Sequence, residues 1–174
     1  MPGIRSVEIK RHWKIFEETV KKLRKQHQNL SFVLLEGDNV NISSSVNLVK
    51  IKENQYEAIG IADAAIVCSG TATLETAMLR CPMIVCYKLS WPTWILAQML
   101  SKVKYLSLVN LIAEDKVVDE YLQNKMTAKN LASGVNNLFK NENRDTVVEK
   151  YKRLIEKLKT NENPYTSAAR YIYD

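Results

Sequence analysis

The segment "AIVCSGTATLETAMLRCPMIVCY", residues 65 to 87, sets three small polar residues between two apolar runs, with a carboxylate one helical turn further on. Ser69, Gly70 and Thr71 fall where a buried strand should give way to a helix. The first amides of a helix have no internal partner, and the helix dipole adds partial positive charge at that end. Gly70 carries no side chain to block a close approach, and the hydroxyls of Ser69 and Thr71 add donors, so the triplet suits a phosphate. Glu75 carries an acceptor-only carboxylate, which suits the diol of a ribose. Small residues are also common at strand-to-helix turns, and Ser69 can simply cap the helix. The spacing alone does not separate the two readings.

A second anion-suited loop is "PGIR", residues 2 to 5, at the entrance of another expected helix. Ligands of open parallel sheets bind beyond the carboxyl ends of the strands, and both loops belong on that edge. Arg5 can pair bidentately with a phosphate, which lysine cannot do. Alone it reads as a surface arginine; two such loops on one edge point to a single diphosphate between them. Asn110 interrupts the apolar run in "SLVNLIAED". A buried amide must find partners, so Asn110 is either a functional polar residue or the tie of a turn.

The elements that must position these residues read as a parallel sheet covered by helices. Ser6 is the expected cap of a first helix with Glu8 in its opening turn, and Ile9, Trp13, Phe16, Val20 and Leu23 recur at three- and four-residue steps. "SFVLLE", "VNLVKI", "AAIVC" and "PMIVCY" read as strands, with "NQYEAIGIAD" and "TATLETAMLR" as helices among them. Strands apolar throughout belong to a sheet buried on both faces. After Tyr87, "WPTWILAQMLSK" reads as an apolar helix, "KYLSLVNLIAED" as an extended piece with a turn, and "DEYLQNKMTAKNLASGVNNLFKN" as two short helices. The last long helix aligns Val147, Tyr151, Leu154 and Leu158, and a small helix follows Pro164. A doubly wound fold normally opens with a strand that feeds the first loop. Here the chain opens on the loop itself, so either the sheet lacks that strand or the chain is the downstream part of something longer.

The totals narrow the function classes. A chain of 174 residues can bury a real core. The formal charge of +6 tolerates anionic company, but the lysines are scattered along helices and no arginine-rich arm or aromatic-basic interleaving appears, so no nucleic-acid partner is expected. Cys68, Cys81 and Cys86 sit in or beside the apolar runs, which fits a reducing compartment and inert buried thiols. His12 and His27 are remote from them and no CxxC occurs, so neither a metal nor a cofactor is expected. With no secretory leader and no apolar stretch of about 20 residues, the expected location is cytoplasmic.

The stretch from "ADAAIVCSGTATLETAMLRCPMIVCYKL" through "KYLSLVNLIAED" resembles the C-terminal half of bacterial lipid-A-disaccharide synthase, and "PGIRSVEIKRH" resembles that family's Pro-Gly-Ser-Arg loop. The resemblance runs over roughly residues 2 to 140. Ser-Gly-Thr followed by Glu occurs in many sugar-nucleotide enzymes; the run from Tyr87 to Ala113 is far more specific.

The resemblance implies a glycosyltransferase of two facing Rossmann-like domains, with residues 1–140 as the sugar-nucleotide-binding domain and 141–174 as a C-terminal helical extension. It implies that UDP-2,3-diacylglucosamine is the donor and lipid X (2,3-diacylglucosamine 1-phosphate) the acceptor, bound largely by an N-terminal domain absent here. The products would be lipid A disaccharide 1-phosphate and UDP. By position, Arg5 would contact the diphosphate, Ser69, Gly70 and Thr71 would cradle it, Glu75 would hold the ribose, and Asn110 would be a required polar residue. Trp91 and Trp94, flanked by Lys88 and Lys102, would make an aromatic-basic contact with the inner face of the cytoplasmic membrane. A homodimer is also implied. Ile4 departs from the family's usual serine, removing a hydroxyl. With no acceptor domain, the chain alone is expected to bind UDP weakly and catalyse nothing. Another UDP-sugar enzyme of the same fold, or a non-catalytic fragment that binds UDP or a partner, remains open at this point.

Overall fold

Helix α1, Ser6–Gln26, buries Ile9, His12, Phe16, Thr19 and Leu23, one residue every three or four, and leaves its lysines outside. Its cap lies one residue before the expected one. Arg5 holds the cap position in extended conformation, its carbonyl accepting from the Ile9 amide, so Ser6 is the first helical residue. These coordinates come from a computed structural model that describes residues 1–3, 5–37, 41–90 and 104–159. Ile4, Trp91, Trp94 and the helix expected after Pro164 lie outside the described residues.

The strands among the described residues are all parallel but form two sheets. Strand β1, Val33–Leu35, pairs with β2, Val49–Ile51. Strand β3, Ala65–Cys68, pairs with the central β4, Met83–Tyr87, which pairs on its other side with β5, Asp119–Leu122. Helix α2, Gln55–Gly60, joins β2 to β3, and α3, Thr71–Met78, joins β3 to β4. Helix α4, Leu108–Ala113, precedes β5; α5, Ala128–Leu138, and α6, Asn141–Leu158, follow it.

Successive residues of a strand face opposite ways, and β4 is buried on both. Ile84 and Cys86 join Phe16, Leu23, Leu131 and Val135 of α1 and α5. Met83 and Val85 join Ala77, Val109, Tyr151 and Leu154 of α3, α4 and α6. Helices on both faces of a parallel sheet make an α/β, Rossmann-like fold. Tyr151 and Leu154 of α6 are buried as its spacing indicates, whereas Leu158 is exposed.

Two stretches differ from the sequence reading. The piece expected to be extended contains α4, because Ser107 accepts from the Asn110 amide and caps a short helix. Asp119–Leu122, expected in a helix, is the edge strand β5; its residues are all half-buried, so it carries no apolar run for the eye to catch.

Gly134 of α5 allows the close contact between this helix and the sheet. A Cβ there would lie 2.7 Å from the Tyr121 hydroxyl and 3.1 Å from Ile84 Cγ2. Gly134→Ala gains helix propensity but overpacks the interface, for a net loss on the order of 1 kcal/mol. A lower urea midpoint with unchanged slope is the expected result.

Candidate functional site

The carboxyl end of β3 is tied on two sides. The Ser69 amide donates to the Cys86 carbonyl of β4 at 3.1 Å, and the Cys68 amide donates to the Met1 carbonyl at 2.9 Å. Beyond it, Gly70 adopts extended backbone, φ 161°, and caps α3. The Thr73 amide and hydroxyl both donate to the Gly70 carbonyl, at 3.1 and 2.8 Å, which closes the first turn of the helix. Thr71 and Ala72 keep their amides free of any described acceptor. Thr71 is exposed, and nothing lies within 4 Å of where a Cβ on Gly70 would be. Glu75 is half-buried on the same helix, and its carboxylate makes no hydrogen bond or ion pair with any described residue.

The opening loop lies against this turn. Gly3 has φ +102°, a left-handed conformation that favours glycine. A Cβ on Gly3 would come within 2.9 Å of Glu8 Oε2 and 3.9 Å of Cys68 Cβ. The Arg5 side chain is 79% exposed and sits 3.9 Å from Glu8 Oε1, a surface pair that leaves the guanidinium free to turn. Tyr87, the last residue of β4, donates its hydroxyl to Glu8 at 2.7 Å; burial and that carboxylate push the phenol up to about 12.

Below the turn, His12 is completely buried and bridges two strand ends. Its Nδ1 lies 3.1 Å from Cys68 Sγ. Its Nε2 accepts from the Lys88 amide (3.1 Å) in the neutral ring and donates to the Lys88 carbonyl (3.3 Å) once protonated. The bond with Cys86, and then His12, draw the Cys68 thiol below its ordinary range against the opposing effect of burial. Cys86 is pushed up by burial and by the same bond, and burial pushes Cys81 up to about 12. All three thiols are free and buried, and Cys68 is the one whose acidity its neighbours raise.

The far wall is the loop before α4. The Ser69 hydroxyl donates to the Leu106 carbonyl at 3.1 Å. Glu120 of β5 clasps that loop, accepting from the Leu106 and Ser107 amides, the Ser107 hydroxyl and Asn110 Nδ2, all at 2.8–2.9 Å. Asn110 is buried, and its amide is fully engaged: Nδ2 also donates to the Val118 carbonyl, and Oδ1 accepts from the Val117 and Val118 amides. The structure thus brings Ser69, Gly70 and Thr71 to one turn, with the loop that leads to Arg5 against it. Glu75 stands one turn along α3, and Asn110 is behind the wall.

A family model described as Lipid-A-disaccharide synthetase matches residues 1–172. The chain belongs to the lipid-A-disaccharide synthase family. Similar proteins include the lipid-A-disaccharide synthase of Rickettsia prowazekii (strain Madrid E), 31% identical over 98% of this chain and 48% of that protein. Lipid-A-disaccharide synthase 1 of Legionella pneumophila (strain Lens) is 33% identical over 93% of this chain and 44% of that protein. For the lipid-A-disaccharide synthase of Blochmanniella floridana the figures are 34%, 94% and 45%. The chain spans just under half the length of each of these relatives.

Several supporting residues of this lipid-A-disaccharide synthase family member escaped the sequence reading. His12 falls three residues after Ile9 and four before Phe16, on the buried stripe of α1, and that spacing was the signal available. Glu8 was read only as a first-turn acid, with nothing to signal its bond to the distant Tyr87, and Glu120 gave no signal, because its partner Ser107 looks like an ordinary loop residue.

Two outcomes follow from these contacts. Asn110→Ala leaves the Val117 and Val118 amides buried without acceptors and removes a donor to Glu120, at a cost on the order of 3 kcal/mol, read as a lower denaturant midpoint. In a pH titration followed by ultraviolet thiolate absorbance, one thiol of the folded protein ionises below the free-cysteine range. Cys68→Ser abolishes that step, and His12→Gln moves it to higher pH.

Proposed function

We propose that this chain is the donor-binding half of a lipid-A-disaccharide synthase. On this reading it holds the UDP part of UDP-2,3-diacylglucosamine while the sugar is transferred to lipid X, giving lipid A disaccharide 1-phosphate and UDP. The observation that carries the reading is the pairing of an unobstructed turn at Gly70 with a carboxylate at Glu75 that has no partner among the described residues, in a member of this family. The amides of Thr71 and Ala72 and the Thr71 hydroxyl would receive the diphosphate at the positive end of α3. Arg5, mobile on its long side chain, would swing from Glu8 to the phosphates. Glu75 would accept the ribose hydroxyls.

Residues 1–140 would act as the nucleotide domain, with 141–174 as an extension of it. No helix among the described residues is long and apolar enough to cross a membrane. The acylated substrates and the tryptophans at 91 and 94 support peripheral attachment to the inner face of the cytoplasmic membrane, and homodimerisation belongs to the same reading. Transfer requires donor and acceptor in attack geometry. On this reading these residues supply one wall of such a cleft: they bind the donor nucleotide, and turnover needs a facing wall for the acceptor.

Millimolar UDP is expected to raise the thermal midpoint of the folded chain. Glu75→Ala weakens binding by about tenfold or more, the worth of a charged hydrogen bond. Gly70→Ala is the sharper test: its backbone is ordinary and its Cβ meets nothing, so stability should hold while UDP binding falls. Unaltered UDP binding in both variants, or no shift with UDP in the folded parent, contradicts the proposal.

A further inference from the structure

Two thiols and an imidazole meet beneath the Ser69–Thr71 turn, and nucleotide binding uses none of them. Cys68 ends β3, Cys86 lies in β4, and the two are partners in register across the parallel ladder. Both thiols belong to the cluster that contains Phe16, Leu23 and Leu131, so they share one face of the sheet. Neighbouring strands stand about 4.8 Å apart, which puts the two α-carbons within the reach of a disulfide. Side chains in parallel register run side by side and do not converge, so a bridge between them carries strain and is readily reduced.

His12 flanks Cys68 from α1, with Nδ1 3.1 Å from Sγ. When Nε2 accepts from the Lys88 amide, Nδ1 carries the ring's hydrogen and donates to the sulfur. Protonation at Nε2 adds a positive charge and leaves that donor in place. Both forms of the ring therefore favour the thiolate, the nucleophilic form of cysteine. Cys86 and then His12 hold the Cys68 thiol below its ordinary range, whereas burial and the bond with Cys68 keep Cys86 protonated. One thiol is prepared to attack and the other to resolve.

Access follows the same order. Cys86 is fully buried, while Cys68 is 5% exposed and lies two residues from the exposed Gly70. The half-buried Gly3 lies over it with no side chain; a Cβ there would come within 3.9 Å of Cys68 Cβ. Cys81 is different: it precedes β4 at the opposite end of the strand, donates to the Ala62 and Pro82 carbonyls, and is pushed by burial up to about 12.

We propose that Cys68, Cys86 and His12 form a peroxide-sensitive dithiol site at the carboxyl end of β3. The Cys68 thiolate attacks one oxygen of a hydroperoxide and the O–O bond breaks. The other oxygen leaves as hydroxide or alkoxide and takes up the proton that Cys68 gave up, and Cys68 becomes a sulfenic acid. The Cys86 sulfur then attacks the Cys68 sulfur. Its proton leaves with the sulfenyl oxygen as water, and the S–S bond forms. Two electrons pass from the thiol pair to the peroxide, so two thiols and hydrogen peroxide give one disulfide and two waters. The site rests on these three side chains and stands whether or not UDP binds.

The test treats the folded 174-residue chain with hydrogen peroxide, alkylates the remaining thiols and digests with trypsin for mass spectrometry. The intact mass should fall by two hydrogen atoms and return with dithiothreitol. Peptide 53–80 should be joined to peptide 81–88 through Cys86, with Cys81 alkylated. In Cys86→Ser, dimedone should label Cys68, which stops at the sulfenic acid. His12→Gln should form the bridge about tenfold more slowly, because less of the thiol is ionised; circular dichroism checks that it folds, and the parent chain decides the matter where a variant does not. An unchanged mass, a bridge to Cys81 or between two chains, or sulfinic acid on Cys68 without a bridge overturns the proposal. A folded His12→Gln protein that reacts at the parent rate overturns it as well.

Discussion

The carboxyl end of β3 has two buried amides to satisfy, and the candidate site is built from the way it does so. Cys68 donates to Met1 and Ser69 donates to Cys86, one to each side of the strand. Buried backbone donors are paired almost without exception, so the opening loop cannot leave β3 without exposing the Cys68 amide to an apolar surround. That bond holds Pro2 and Gly3 against the strand. The left-handed Gly3 then turns the chain sharply enough to start α1 beside the Ser69–Thr71 turn, which brings Arg5 to the same end of the sheet as Gly70.

The polar groups around this end fall into two sets. Glu8, His12, Ser107, Asn110 and Glu120 have their side-chain groups committed to internal bonds, and they fix the loops. Thr71 and Glu75 are not committed to any described residue, and Gly70 faces open space. A half-buried carboxylate with no partner has lost part of its hydration without recompense. Such a group adds nothing to folding; on the proposed reading, a ligand accounts for its place one turn along α3. Asn110 belongs to the first set by geometry. Any effect of replacing it on the site would pass through the loop that Ser69 touches.

The sequence was most legible where burial is total. Val67, Met83, Ile84 and Val85 lie in unbroken apolar runs because both faces of β3 and β4 are covered, and their boundaries could be read to within a residue or two. It was least legible at the edges. Strand β5 is half-buried along its whole length and reads Asp-Glu-Tyr-Leu, a pattern with no face to detect. Helix α4 spans six residues and is set by one capping hydroxyl and by Glu120, contacts that depend on a strand later in the chain. The Ser69–Gly70–Thr71 turn was legible because strand end, glycine and helix start are contiguous. The His12–Cys68–Cys86 cluster was not, because it unites three elements far apart in sequence.

The openness around Gly70 also bears on how a donor would be held. On the proposed reading, one wall of hydrogen-bond donors and one arginine meet a diphosphate whose other side stays in water. Charge interactions at such a surface are weakened by the high dielectric and by salt. The same groups act more strongly once a facing surface excludes water, since the effective dielectric falls and each charged hydrogen bond gains. A site of this shape would hold its nucleotide loosely and with marked salt dependence while unopposed, and firmly when closed. Exposure of Arg5, Gly70 and Thr71 is therefore what a half-cleft requires, since residues already sealed by their own domain would have nothing left to offer a second wall.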